Sequence, residues 1–281
     1  MQTENELKEL VRQKYSEIAL QDKSDNQASC CGAGGCSTEV YNIMTDDYTN
    51  LEGYNPDADL GLGCGLPTQF AKIKKGDTVI DLGSGAGNDA FIARKETGDT
   101  GIVIGIDFTP AMINLAKANA EKLSYSNVEF RQGDIENMPV ASNIADVIVS
   151  NCVLNLVPNK DAVIKEIFRA LKPGGHFSIS DIVLEGSLPS NIQQAAEMYA
   201  GCVSGAIQKQ VYLELIKHNG FEDITIQKEK PIIVPDDILL KYLSPDEILS
   251  FRTGGSGIFS ITVFAQKPLA TKNCCGPDCC N

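Results

Sequence analysis

A chain of 281 residues, 43% hydrophobic and 22% charged, is long enough to bury one large core or two modest ones and has the composition of an ordinary globular protein. Its net charge of −13, with lysines and arginines scattered rather than gathered into a stripe, repels a phosphate backbone and excludes nucleic acid as an expected partner. The first residues show neither the charged-then-apolar pattern nor the small-residue cleavage site of an export signal. The longest apolar runs are strand-sized, far below the roughly 20 residues of a membrane-spanning helix, so a cytoplasmic protein without a membrane span is expected.

Leu7, Leu10, Val11, Tyr15 and Ile18 recur at helical spacing, which predicts an amphipathic helix over Glu4 to Ala19 with an apolar face that must dock on something. From Gln21 to Gly65 the composition turns to Gly, Asn, Asp and Cys, with Cys30, Cys31, Cys36 and Cys64. This predicts a long irregular segment of the kind that is either functional or disordered.

Regular alternation begins at Thr78. Strands are predicted at Thr78 to Leu82, Ile102 to Asp107, Val128 to Arg131, Ala145 to Ser150 and His176 to Ser180, with helices from Asn88, from Pro110 and over Asp161 to Leu171. That is the rhythm of a doubly wound, mainly parallel α/β sheet. Thr109-Pro110 predicts a helix start, because a Thr hydroxyl can cap free N–H groups and Pro fits the first helical position.

Beyond Asp181, helical patterns near Asn191 to Cys202 and Gln208 to His218 precede strand candidates near Ile224 to Gln227 and Ile258 to Ala265, which would complete a seven-stranded sheet with an antiparallel edge. The last residues, Lys272 to Asn281, hold Cys274, Cys275, Cys279 and Cys280 with no apolar periodicity and read as a tail. The expected division is 1–73 for the N-terminal helix and Cys-rich segment, 74–185 for a Rossmann-like core, 186–268 for substrate-binding helices and sheet completion, and 269–281 for the tail.

The run Asp81-Leu82-Gly83-Ser84-Gly85-Ala86-Gly87 ends a strand and opens a helix, placing glycines where backbone bends sharply and approaches a ligand. Asp107 closes the second strand, where a carboxylate can accept both ribose hydroxyls of an adenosine-containing cofactor. Gly133-Asp134-Ile135 follows the third strand, with an acid for an adenine amino group and an apolar side chain for its ring. Three strand ends therefore point to one crevice, the place where open α/β sheets bind ligands.

On Asp81 to Gly87, Ile104 to Asp107, Gly133 to Ile135 and the turn Leu171 to Gly175, the chain resembles the class I S-adenosylmethionine methyltransferases over about Lys74 to Ser180. The turn has the form Asp81-x-Gly83-x-Gly85-x-Gly87 rather than that of a nicotinamide site. The resemblance implies a class I methyltransferase fold and an S-adenosylmethionine site at Asp81, Gly83, Ser84, Gly85, Gly87, Asp107, Phe108, Asp134, Ile135 and Asn151.

Ten cysteines in a chain expected to stay in a reducing compartment suggest burial, nucleophilic chemistry or soft-metal binding rather than disulfides. Cys152, in Ser150-Asn151-Cys152-Val153, ends the fourth strand beside the expected methyl position. Cys64 lies in the glycine-rich run Leu60 to Gly65, and Cys202 has the small neighbours Gly201 and Gly205.

The Gly-Cys-Gly loop, the block Asn151 to Pro158 and the Gly-Cys helix resemble the arsenite S-adenosylmethionine methyltransferases over most of the chain, although Ser244 to Gly257 has no clear counterpart there. The resemblance implies that Cys64, Cys152 and Cys202 hold As(III), brought as arsenite or as an arsenic–glutathione conjugate. Three thiolates around a soft, thiophilic ion leave one lone pair to face a sulfonium methyl. That lone pair carries no proton, so no general base is required, and His176 and His218 are assigned to structure or surface.

Methyl transfer oxidises arsenic, so turnover requires reducing equivalents. The resemblance implies a transient disulfide between Cys36 and Cys64, reset by glutathione or thioredoxin; on spacing alone, Cys30 and Cys31 are possible substitutes. The paired tail cysteines can gather a thiophilic ion or form a dispensable end. Two other functions stay open on the residues: methylation of another small molecule, and a non-enzymatic thiol carrier of metalloids.

Overall fold

The computed structural model describes residues 4–20, 46–189, 205–240 and 243–270. Its strands are β1 (Thr78–Leu82), β2 (Ile102–Asp107), β3 (Val128–Gln132), β4 (Ala145–Asn151), β5 (Leu171–Glu185), β6 (Glu222–Ile232) and β7 (Gly257–Gln266). They form one seven-stranded sheet in the order β3-β2-β1-β4-β5-β7-β6. The five strands from β3 to β5 run parallel, and β7 and β6 close the sheet antiparallel, as the sequence predicts.

The described helices are α1 (Glu4–Leu20), α2 (Pro67–Phe70), α3 (Asn88–Thr97), α4 (Pro110–Lys122), α5 (Lys160–Ala170), α6 (Lys209–His218), α7 (Asp236–Leu239) and α8 (Pro245–Thr253). None of them is long and apolar enough to cross a membrane. The predicted helix near Asn191 to Cys202 and the cysteine-rich tail lie outside the described residues.

The central strand β1 is apolar at Val79, Ile80 and Leu82 because both faces of the sheet are covered. One face packs Val163, Ile164 and Ile167 of α5 and Tyr212 and Ile216 of α6 against Ile80, Leu82 and Ile148. The other packs Ala90 and Phe91 of α3 and Ile113 and Ala116 of α4 against Val79, Val103 and Val147. Phe91 is wholly buried and meets Phe130 edge-on at 5.9 Å between centroids. Truncating it to Ala would cost about 3–5 kcal/mol.

Two expectations need correction. The turn predicted at Leu171 to Gly175 lies inside β5, because Leu171 already pairs with Ala145 and the register then jumps to His176 opposite Val147. The Pro173-Gly174-Gly175 run is thus an outward bulge in a strand rather than a connection before one. Ser244 to Gly257, read without a clear family counterpart, holds a helix with its own signal: Ser244 and Glu247 form a capping box, with Pro245 in the first turn.

Candidate active site

The strand order reverses between β2-β1 and β4-β5, and a crevice opens at the carboxyl ends of those strands. Gly83, Gly85 and Gly87 all have positive φ, and a Cβ at Gly83 would stand 2.4 Å from Val153. This glycine turn folds the chain back from β1 into α3, and its Ser84 and Gly85 amides donate to Ile106 O and to Asp107 of the second strand. Asp81, Gly83, Ser84, Gly85, Asp107, Phe108, Asp134, Ile135 and Asn151 line one cavity. Gly87 stands behind it as the left-handed residue that starts α3.

Asp107 is fixed by its own turn. Gly85 N–H donates to one carboxylate oxygen at 3.0 Å and Thr109 N–H to the other at 2.8 Å. Burial nevertheless pushes its pKa up, against those bonds. Thr109 occupies the cap position of α4, but its hydroxyl makes no capping bond. It is turned instead to Asp107, so the carboxylate outcompetes the helix end for the hydroxyl.

Asp81 is buried, and burial, then the charges of Asp89 and Asp107, hold its carboxyl well above the usual range. Its Oδ2, Ser84 Oγ and Asn88 Oδ1 are buried around the cavity without a hydrogen-bond partner. An unmet buried polar group costs about 1–3 kcal/mol, and three such groups facing one cavity fit a polar ligand.

At the third strand end Asp134 accepts Glu136 N–H at 2.9 Å and the Lys8 ammonium at 2.7 Å. Lys8 also pairs with Glu136. Burial works against the Lys8 charge, but its bonds to the two acids leave its pKa raised. Through Lys8, Val11 and Tyr15 the amphipathic helix α1 forms part of the cavity wall, which answers where its apolar face docks. The sequence reading missed Lys8, since its partners are 126 and 128 residues away.

The thiols meet on the other side. Cys64 and Cys152 are 1% and 4% exposed and share one buried cluster with Ile182, Leu184, Ile232 and Ile258. Cys152 also lines the cavity. It adopts φ +60, a left-handed conformation that disfavours a residue with a Cβ, while its N–H donates to Ser180 O at 2.8 Å. Such strain is characteristic of functional positions.

Cys64 arrives on a loop, and its two glycines are required for contact. A Cβ at Gly63 would stand 2.7 Å from Asn151 Nδ2, and one at Gly65 2.5 Å from Ser180 Oγ. Cys64 N–H donates to Asn151 Oδ1 at 3.0 Å, and Ser260 Oγ donates to Cys64 O at 2.5 Å.

Asn151 Nδ2 in turn donates to Gly65 O at 2.9 Å, to Asp89 Oδ2 at 3.1 Å and to the Tyr48 hydroxyl. Tyr48 donates to Gly65 O at 3.0 Å and to Asp89 Oδ2 at 3.1 Å. Burial raises Asp89 to a pKa of about 6, although the bonds from Asn151 and Tyr48 pull it down. Tyr48 and Asp89 were absent from the sequence reading; an acid in the first turn of a helix passes for a response to the helix dipole.

Cys36 and Cys202 lie outside the described residues, as do Cys30 and Cys31. Gly205, which ends the segment carrying Cys202, packs so tightly that a Cβ there would stand 1.9 Å from Asn155 O. Asn155, also buried, donates to Ile182 O at 2.8 Å. Gly205 is therefore anchored beside the thiol cluster, to which Ile182 belongs. His176 packs on Phe264 at 5.0 Å and bonds Ala71 O at 2.6 Å, a structural placement.

A family model described as a methyltransferase domain matches residues 73–220. The arsenite methyltransferase of Halobacterium salinarum is 38% identical over 276 residues, covering 94% of this chain and 67% of that protein. That of Aquipseudomonas alcaligenes is 32% identical, over 84% of this chain and 68% of its own. Among solved structures, an arsenic(III) S-adenosylmethionine methyltransferase from Chlamydomonas reinhardtii superposes with a TM-score of 0.61 at 30% identity, covering 83% of this chain and 74% of that one.

Proposed function

The chain belongs to the arsenite methyltransferase family, and from that premise we propose that it moves the methyl group of S-adenosylmethionine onto trivalent arsenic held by Cys64, Cys152 and Cys202. The observation that carries the reading is the burial of Cys64 and Cys152 in one cluster at the wall of the cavity that also holds Asp81, Asp107 and Asp134.

The polar groups of the cavity fit the cofactor. Asp107 offers carboxylate oxygens to ribose hydroxyls. Asp134 keeps acceptor capacity beyond Lys8 and Glu136 N–H for an adenine amino group, with Ile135 beside it. The open groups of Asp81, Ser84 and Asn88 suit its charged end. Bound there, S-adenosylmethionine supplies an electrophilic methyl on a sulfonium.

The chain's thiols do the rest. Each cysteine that takes As(III) from arsenite loses its proton to a departing hydroxide, which leaves as water, so loading requires no resident base. Among the described residues no three His, Cys, Asp or Glu side chains converge on a metal-sized site, and the reading assigns the third thiolate to Cys202. Held by three sulfurs, arsenic presents its lone pair, and alignment with exclusion of water contributes most of the acceleration.

The transfer takes arsenic from the trivalent to the pentavalent state. Two electrons return it: the Cys36 thiolate would attack the Cys64 sulfur still bonded to arsenic, the S–S bond forming as the As–S bond breaks with its electron pair left on arsenic, and a cellular dithiol or glutathione would reduce that disulfide afterwards.

The test is transfer of radiolabelled methyl from S-adenosylmethionine to arsenite in excess thiol, comparing wild type with Cys152→Ser and Cys202→Ser. Labelled methylarsenicals are expected from wild type and a loss of roughly 100-fold or more in both variants, at least what disturbing the surroundings of a bound metal costs. Unlabelled arsenic from wild-type protein that binds the cofactor would sink the reading.

A further inference from the structure

We propose that Tyr48 and Asp89 are positioning residues that set Cys64 in place through the Asn151 amide. The proposal rests on the reading of Cys64 as an arsenic ligand and deepens it.

Cys64 belongs to no strand or helix. Its backbone is held by the amide of Asn151 on one side and the Ser260 hydroxyl on the other. An amide can serve Cys64 only if its oxygen faces that N–H, and what faces its nitrogen decides which way it points. There it meets Gly65 O, Asp89 Oδ2 and the Tyr48 hydroxyl. The carbonyl and the carboxylate only accept, so they hold the amide in the orientation that serves Cys64.

The hydrogens balance. Asn151 Nδ2 brings two and Tyr48 brings one, and they meet three acceptors: Gly65 O, Asp89 Oδ2 and the Tyr48 oxygen. Removing the carboxylate leaves a buried donor unmet and weakens the preference for one amide orientation, whereas removing the phenol takes away one hydrogen and one acceptor together and costs the amide one contact, with Gly65 O and Asp89 Oδ2 still in place.

Nothing nearby replaces Asp89. Around it stand Asp81 and Asp59, the Thr68 hydroxyl, Tyr48 and Asn151. None is a cation. The carboxylate is held by hydrogen bonds and by the amino end of α3, in whose first turn it lies. Tyr48, Asp89, Asn151 and Gly63 also line the cavity, so the cluster ties the arsenic-receiving loop to the cofactor wall rather than to the core.

The experiment compares Tyr48→Phe, Asp89→Ala and Asp89→Asn with wild type. It reads the arsenite dissociation constant by dithiol competition, KM for arsenite, S-adenosylmethionine affinity by calorimetry, and the rate of Cys64 alkylation mapped by mass spectrometry. Asp89→Ala should weaken arsenite binding and raise its KM by roughly 10- to 100-fold, and Tyr48→Phe, which costs the amide one contact, by about tenfold. Cofactor affinity should fall by clearly less than arsenite affinity, and Cys64 alkylation should accelerate, because a misplaced loop exposes the thiol. Asp89→Asn keeps an acceptor oxygen and should recover most of the loss.

Equal loss of cofactor and arsenite affinity, or no recovery in Asp89→Asn, would overturn the proposal. Tyr48→Phe keeps the buried ring and carries the test alone if Asp89→Ala fails to fold. A wild type that binds arsenite but methylates nothing would end the functional reading, while the arsenite constants and the Cys64 alkylation rates would still decide this one.

Discussion

Asp81, Asp107 and Asp134 reach the cavity from the ends of three neighbouring parallel strands, and their placement follows from the strands themselves. Cys64 packs in one cluster with Cys152 of the cavity wall, on a loop held by an amide from β4 (87 residues away), a hydroxyl from β7 (196 residues away) and a phenol and carboxylate behind that amide. The cofactor carboxylates stand at strand ends, with Lys8 added to Asp134 from far along the chain, whereas the side-chain bonds that hold the Cys64 backbone come from distant strands. The difference teaches that the two sides can fail separately: the first by losing an acceptor, the second by a shift of loop backbone that leaves every thiol in the sequence intact.

The sharpest way to break the first side alone is Asp107→Ala. Loss of a carboxylate that would accept both ribose hydroxyls should weaken S-adenosylmethionine binding by about 3 kcal/mol, or roughly 100-fold, while arsenite binding holds. Calorimetry with each ligand checks it, and parallel losses would mean that the two sides are one unit. Gly65→Ala addresses the second side. Its new Cβ would meet Ser180 Oγ at 2.5 Å, and the overpacking, about 1–3 kcal/mol, should push the loop outward and raise KM for arsenite about tenfold at constant cofactor affinity. An unchanged KM would show that the loop finds another seat.

Asp181→Asn should touch neither side. Asp181 is wholly buried in β5, and burial raises its pKa from 3.8 to about 7, only partly offset by Lys160, Ile182 N–H and the Tyr212 hydroxyl. A carboxyl whose folded pKa is raised favours the fold in its neutral form. That stabilisation is fully present below about pH 4 and is lost as pH rises through about 7. Wild type should therefore lose thermal stability across that window. Asp181→Asn should flatten the decline and melt about 5 °C higher at pH 8, with both ligand affinities unchanged. Scanning calorimetry from pH 4 to 8 decides it, and an identical slope in the variant would refute the assignment.

Much of the fold was legible because β1, β2 and β4 are largely apolar runs and β3 alternates at Val128 and Phe130, and their boundaries fall within a residue of those read from the pattern. Pro173-Gly174-Gly175 misled because the same residues that end a strand also form a bulge in one, and only the pairing of Leu171 with Ala145 distinguishes them. Helix α8 carried a capping signal, but its periodicity is blunted by Leu249, which is apolar and exposed. In the site, residues whose role is set by their own turn, such as Asp107 beside Gly85, could be named in advance. Lys8, Tyr48 and Asp89 could not, because each acts through a partner that only the folded chain brings near.

The left-handed backbone at Cys152 bears on how variants of this protein can be sorted. Replacing Cys152 with glycine would relieve roughly 1–2 kcal/mol of conformational strain and forfeit about 1 kcal/mol of buried side chain, two changes of similar size and opposite sign. Such a variant would express, refold and melt much like its parent. Libraries ranked by heat challenge or expression yield would pass it unnoticed, so at this position survival of the fold says nothing about survival of the chemistry.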